Sequence, residues 1–441
     1  MFSSMLNQFN FLSTNKDSQM TTKSKPETPF GKQFREKYFS NQDPEVLLLN
    51  NGSYGTVPSP IHNKFVESML NTSSYPDLHM KYNLKDTYIE SLKVIGKVLN
   101  CDYHNLAIVE NATTGINTVL RSYPFKKGDS LVIQSTVYGA CGNTVKFLKD
   151  NYDIDFHVVE INYPTTDAEI LAKFEKVFKE VKPKLCMFDT VTSMPGVIFP
   201  HEQMIKLCDK YKILSLVDGA HGIGCIPQNL SKLKPSFYVS NLHKWFYVPF
   251  GCAVLYIDPK YQKGIHTLPI SHSYLKSDTI LSEEDEKNRM IERFWFIGTK
   301  NFASVATIPD AYKFRNEICG GEETIYEYCH NLAVQAGDLV SKKWGTFVLD
   351  QPNKTQISTM VTIAVPTDKY PEFVKNWSKY DNLVYKKCFD KKAYIPCASH
   401  NGKLFARLSA QVYNELNDYD LGSDILIQAL DEVAKENDLL V

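Results

Sequence analysis

Between residues 85 and 260 the chain alternates short apolar runs with stretches whose apolar residues recur at helical spacing. The runs are LAIVE (106–110), LVIQS (131–135), HVVEIN (157–162), KLCMFDTV (184–191), ILSLVD (213–218), FYVSN (237–241) and CAVLYI (252–257). Ile170, Phe174, Val177 and Phe178 mark one intervening helix, and Met204, Leu207, Cys208 and Tyr211 the next. Near-continuous apolar strands separated by amphipathic helices predict an α/β fold, with a mostly parallel sheet covered on both faces. Such sheets bind ligands beyond the carboxyl ends of their strands, so the polar residues that close the runs are where chemistry is sought.

After residue 260 the pattern changes. Residues 270–300 are polar and then aromatic (RFWFIGTKN), which reads as an excursion lining a site. A helical stretch near Ile308–Cys329 follows, then strands at TMVTIAVP (359–366) and LFARLSA (404–410), and a last amphipathic helix carrying Leu426, Leu430 and Val433. This predicts a large domain over 60–300 and a smaller α+β domain built from 26–59 with 301–441. Residues 1–25 read as a disordered tail. They hold no arginine and carry Asp17, unlike a transit peptide, and their apolar centre is too short for a secretory signal.

Bulk properties narrow the functional classes. Lys+Arg is 49 against Asp+Glu 50, a formal net charge of -1, which leaves no electrostatic footprint for nucleic acid or an anionic membrane. No apolar run approaches the length of a membrane span. The ten cysteines are scattered, without CxxC pairs or zinc spacing, so no metal is expected. Several, such as Cys186 and Cys252, sit in strand-like runs as buried reduced thiols, which suits a cytoplasmic location.

The strand ends then carry the argument. SLVDGAHGIG closes one strand on Asp218 with His221 three residues on, and SNLHKW closes the next on Ser240, His243 and Lys244. Pyridoxal phosphate needs such a set: a carboxylate to keep its ring nitrogen protonated and an amine to hold its aldehyde. Taken singly, Asp218 is a helix cap, His221 a structural histidine and Lys244 a surface lysine; together, at strand ends, they point to the cofactor. NATTGINTVL opens a helix after the strand LAIVE, and its small Ala112 and Thr113 offer donors for a phosphate. Plain capping by Asn111 or Thr113 accounts for that segment as well. Tyr138, in STVYGACGN, is placed to stack on a pyridine ring, to reach a substrate, or simply to pack at the surface. Ser193, in DTVTSMPG, either bonds the ring hydroxyl or serves the turn before Pro195-Gly196. Arg407, in ARLSAQVYN, either clamps a substrate carboxylate or forms a structural ion pair.

These motifs resemble the class V aminotransferase family of fold-type I pyridoxal-phosphate enzymes, from about Leu47 and its LLLNNGSYGTVP loop to the C-terminus. The resemblance implies that Lys244 carries the cofactor and Asp218 pairs with its ring nitrogen. Ala112, Thr113, Ser240 and His243 then approach the phosphate, Gly298 and Thr299 reach the phosphate of a neighbouring subunit in a homodimer, and Arg407 holds the substrate carboxylate. VYGACGNTV, DTVTSMPGV, SLVDGAHGIG, SNLHKWFYVPFGCAV and LPISHSY are most similar to the fungal isopenicillin N epimerase-like branch, which includes the hercynylcysteine sulfoxide lyases of ergothioneine biosynthesis.

The leading expectation is therefore a carbon–sulfur β-lyase acting on a small cysteine-derived sulfoxide or S-conjugate, with Lys244 as the base and Tyr138 or Tyr54 serving the leaving group. Cysteine desulfurase is the second reading and would need Cys397, in IPCASHNGK, as a mobile nucleophile. Epimerisation or transamination would use the same set of residues. A cofactor-binding scaffold without catalysis is the reading from another class, opposed by the intact Asp218, His221, Lys244 and Arg407.

Overall fold

Each of the seven apolar runs forms a strand of one sheet in the computed structural model, which describes residues 24–351 and 355–439. In chain order these are β1 (Leu106–Val109), β2 (Ser130–Gln134), β3 (Asp155–Val159), β4 (Leu185–Asp189), β5 (Leu214–Asp218), β6 (Phe237–Asn241) and β7 (Ala253–Ile257). Their order across the sheet is β1-β7-β6-β5-β4-β2-β3, with β7 antiparallel to both neighbours and the pairs from β6 to β3 parallel. Every residue of β4, β5, β6 and β7 is buried, as a sheet covered on both faces requires. The edge strand β3 buries only Val159, which is why its start carries the charged Asp155.

The covering helices follow the apolar spacing. Asp167–Val181 begins with a capping box between Thr166 and Glu169 and turns Ile170, Phe174 and Phe178 inward. His201–Lys210 buries Met204 and Cys208, while Tyr211 ends it as the cap residue.

The second sheet is antiparallel, with β8 (Met360–Ala364), β9 (Cys397–His400) and β10 (Lys403–Ser409) in the order β8-β10-β9. Strand β9 has no counterpart among the expected strands. It turns into β10 through Asn401 and Gly402, both at positive φ (47 and 71), the two-residue Asn-Gly hairpin geometry. Glu322–Trp344, Pro371–Asp390 and Leu416–Glu436 are the long helices here, and the last buries Leu426, Leu430 and Val433. The stretch expected as one helix near Ile308–Cys329 is broken. It runs as Ile308–Lys313, a π-turn Phe314–Ile318, and then Gly320-Gly321 at φ 81 and 97, before Glu322 starts the next helix.

Two hydrophobic cores result. One surrounds the seven-stranded sheet; the other fills the small sheet and takes in Phe34, Phe39 and Leu49 from the N-terminal segment. A small third cluster, with Val191, Trp245 and Met360, lies between them. Of the expected tail, residues 1–23 fall outside the described residues. Ser24 is already tied down, since its N–H donates to the Gly320 carbonyl at 3.2 Å. No helix among the described residues is long and apolar enough to cross a membrane, and none of their His, Cys, Asp and Glu side chains group in a way that could hold a metal.

Candidate active site

At the carboxyl ends of β4, β5 and β6 a cavity of about 230 Å³ opens between the large sheet and the N-terminal loop. Ala112, Thr113, Tyr138, Ser193, Asp218, His221, His243 and Lys244 all line it. So do Ser53, Cys141, Asp189 and Asn241, to which the sequence reading assigned no role.

The floor holds two carboxyls side by side. Asp189 and Asp218 are register partners on β4 and β5, and both are buried. Burial raises the pKa of each, and the Asp218 charge raises Asp189 further. Two such neighbours cannot both ionise in a dry site. Asp218 accepts the Ala220 N–H at 3.0 Å and the Cys141 S–H at 3.4 Å, whereas Oδ1 of Asp189 has no partner among the described residues. These contacts favour the charged form at Asp218 over that at Asp189, whose pKa is pushed well above the usual carboxylate range.

Lys244 stands on the four-residue helix Leu242–Trp245 that follows β6. Burial, and then the nearby positive Arg407, bring its pKa down to about 8, against the opposing pull of Asp218. Its Nζ lies 3.3 Å from His221 Nε2, and burial pushes His221 well below the usual histidine range. The backbone around Lys244 is gripped from above. Asn51 Nδ2 donates to the Lys244 carbonyl at 3.0 Å and Arg315 Nη1 to the Trp245 carbonyl at 2.7 Å. Gly55, at φ 78, sits so close that a Cβ would lie 1.8 Å from the His243 carbonyl oxygen.

Arg407 enters from β10, is 2% exposed, and stands behind the cavity-lining Ser53 and Ser193 without lining the cavity itself. Its Nη1 donates to the Ser193 carbonyl at 2.7 Å, and its Nη2 to Asn50 Oδ1 and Ser53 Oγ, both at 2.8 Å. Nε has no partner, and no carboxylate among the described residues pairs with the guanidinium. The structural ion-pair alternative is thus excluded among these residues. A buried cation left with neutral partners is costly, and burial lowers its pKa to about 10.

Several expected contacts are displaced. Ser240 is fully buried beneath the cavity, where its hydroxyl accepts the Ile223 N–H at 3.0 Å; it supports the floor and does not line the cavity. The Ala112 N–H is spent on Asn241 Oδ1 at 2.8 Å, and Asn111 caps the Thr114 N–H at 2.8 Å. The donors left on that first helical turn are those of Thr113. His243 donates from Nδ1 to the Cys252 carbonyl at 3.0 Å, so its free Nε2 carries a lone pair. Tyr138 is half exposed at the mouth, and Tyr54, 69% exposed, lies on the rim. Thr299 is exposed, and neither it nor any other residue of the excursion 270–300 lines the cavity of its own chain. Within that excursion Phe296 stacks with His272, and it is tied to the rest of the fold through Phe296 on Phe302 and the Lys300–Glu110 ion pair. Cys397 lies buried in β9, with its thiol against the Ile395 carbonyl and its pKa far above the usual value.

The donor set suits pyridoxal phosphate. It has a carboxylate at one end, a lysine of lowered pKa in the middle, and the donors of the Thr113 helix terminus at the other. Fold and site together define a class, and the sequence agrees: the chain matches the class-V aminotransferase family over residues 61–418 and belongs to it. Among characterised relatives it is 31% identical to hercynylcysteine sulfoxide lyase of Schizosaccharomyces pombe, over 86% of this chain and 92% of that one. It is 29% identical to an L-cysteine desulfhydrase-like protein of Epichloe uncinata, over 94% and 98%. In fold it is similar to a cystine C–S lyase solved with its product cysteine persulfide, at TM-score 0.72 and 15% identity, over 87% of this chain and 98% of that one.

Proposed function

We propose that this protein is a pyridoxal-phosphate-dependent carbon–sulfur β-lyase that splits a cysteine-derived sulfoxide or S-conjugate into pyruvate, ammonia and the sulfur fragment. The observation that carries this reading is the buried Arg407 guanidinium, without a carboxylate of its own, beside a lysine whose pKa lies near 8. When bound, pyridoxal phosphate supplies a covalent hold on the amino group and a sink for the electrons released at Cα. Arg407 binds the α-carboxylate through its planar fork, aided by the amide of Asn50 and the hydroxyl of Ser53. Lys244, largely desolvated and half deprotonated near pH 8, takes the Cα proton. Asp218, whose charged form is favoured by the Ala220 N–H, would pair with the ring nitrogen, and Asp189 beside it takes up a proton more readily. Tyr138, half exposed and lining the cavity, and the exposed Tyr54 are the candidates to serve the sulfur leaving group. For a sulfoxide the balance is substrate plus water giving sulfenic acid, pyruvate and ammonia.

Cysteine chemistry separates this from a desulfurase. Cys397 is locked in the small-domain core, and Cys141, the cysteine that does line the cavity, donates its proton to Asp218 and is pushed far from thiolate by burial. The test is pyruvate and ammonia release from hercynylcysteine sulfoxide, cysteine and S-alkyl cysteine sulfoxides in parallel. Stoichiometric pyruvate from a sulfoxide is the expected result, and preference for the hercynyl compound would assign the protein to ergothioneine synthesis. Alanine and sulfide from cysteine, without pyruvate, would overturn the lyase reading.

A homodimer is part of the same proposal. Leu70, Tyr75, Leu78 and Tyr82 expose an apolar face along residues 59–83, with Phe250 also exposed, and Thr299 is exposed outside its own cavity. Light scattering should give twice the chain mass of 50.3 kDa. A cytoplasmic site fits ten unpaired cysteines, and cell fractionation checks it.

A further inference from the structure

Trp245 follows Lys244 directly, is 1% exposed, and points its indole at the histidine on the other side of the lysine. Its Nε1 lies 3.1 Å from His221 Nδ1, with the rings edge-on at 62°. An indole nitrogen can only donate. His221 Nδ1 must therefore accept, and in a neutral imidazole the remaining proton sits on Nε2, the atom 3.3 Å from Lys244 Nζ. The backbone of Trp245 is held by Arg315 on its carbonyl, and its indole is packed in a buried cluster with Val191, Cys225, Ile226 and Met360.

We propose that Trp245 is a positioning residue that fixes His221 in the Nε2–H tautomer and so presents a hydrogen-bond donor, not a lone pair, to Lys244. The consequence is a preference in the lysine. An ammonium facing an N–H has no acceptor, whereas a free amine accepts that N–H; the tautomer therefore favours the form of Lys244 that reacts with an aldehyde. His243, on the other side of Lys244, has the opposite tautomer because a carbonyl, which can only accept, takes its Nδ1–H. The other titratable groups felt by Lys244 are Arg407, which opposes its charge, and Asp218, Cys225 and Asp189, which favour it. Trp245→Phe leaves all four in place.

The test uses the full-length protein, stripped of cofactor and then reloaded. With 15N-histidine labelling, the ring signals of His221, identified by their loss in His221→Gln, should report a protonated Nε2 and a bare Nδ1. In Trp245→Phe the two tautomers should mix. The pH midpoint for cofactor uptake, set near 8 by Lys244 in the wild type, should rise by about one unit. In a His221→Gln background, where no tautomer exists, the same Trp245→Phe change should leave the midpoint within a few tenths. An Nδ1–H signal in the wild type would overturn the proposal, as would equal midpoint shifts in both backgrounds, which would mean that Trp245 acts by packing alone. The wild-type spectrum decides the matter should Trp245→Phe fail to fold. The uptake arm rests on the pyridoxal-phosphate reading and the tautomer arm does not, so the two fail separately.

Discussion

The floor of the cavity and its far wall solve opposite electrostatic problems. On the floor, burial pushes the two neighbouring carboxyls Asp189 and Asp218 up and Lys244 and His221 down, so all four lean toward neutrality. Behind the wall formed by Ser53 and Ser193, Arg407 keeps a buried positive charge met, among the described residues, by a carbonyl, an amide oxygen and a hydroxyl. A self-compensated floor is complete before substrate arrives and serves any amino-acid chemistry. An uncompensated wall is a demand for an anion, and it is there that substrate is chosen.

Lys244→Ala should break the floor outright, with turnover falling by at least ~10³-fold, measured as pyruvate release. In the cofactor-free protein a Lys244→Met change should have the reverse effect on folding. The Lys244 pKa is lowered on folding, so its burial destabilises the protein fully below about pH 8, and the penalty fades as pH rises toward the unfolded value. Urea unfolding at pH 7 should therefore show a gain of about 1–3 kcal/mol, shrinking between pH 8 and 10.

Arg407→Gln tests the wall without touching the floor. KM should rise on the order of 10²-fold or more while cofactor absorbance stays intact; equal loss of cofactor binding would show that the two regions are not separable. Gly55→Ala strikes the seam between them. With φ 78 and the His243 carbonyl in the way, it should cost about 2 kcal/mol of stability, read by thermal unfolding. Tyr138→Phe and Tyr54→Phe should each slow lyase turnover by about 10-fold, and unchanged rates in both would remove the tyrosines from leaving-group chemistry. The smallest effect belongs to Cys141→Ser, which keeps a donor for Asp218 and should alter turnover by no more than about twofold.

The two regions were also unequally legible in the sequence. Strand ends of a parallel sheet announce themselves, so Asp218, Lys244 and the seven runs could be read from apolar periodicity and the residue that stops it. Asp189 carried the same signal at the end of KLCMFD and could have been found by the same rule. Cys141 could not, because a thiol in a helix reads as core. The wall was harder to read: Arg407, Asn50 and Ser53 come together across more than 350 positions, which no local pattern encodes. Strand β9 was missed although Asn401-Gly402 is a hairpin signal, since the strand is only four residues long. The mismatched Ser240 shows the limit of motif transfer, for a serine one turn from a lysine can serve the backbone beneath it.

The loop at Asn50–Gly55 has a consequence for how the molecule is made. Its Asn51 bonds a carbonyl 193 positions later, and its Gly52 N–H bonds the hydroxyl of Ser409, 357 positions later. A ribosome must therefore deliver nearly the whole chain before this early segment finds its partners, and contacts of such separation form slowly. A polypeptide halted before β10 keeps its lysine and its acids but lacks the anion receptor and the anchor of the loop. Premature termination near the end of the message should thus remove the anion receptor and much of the small-domain core together.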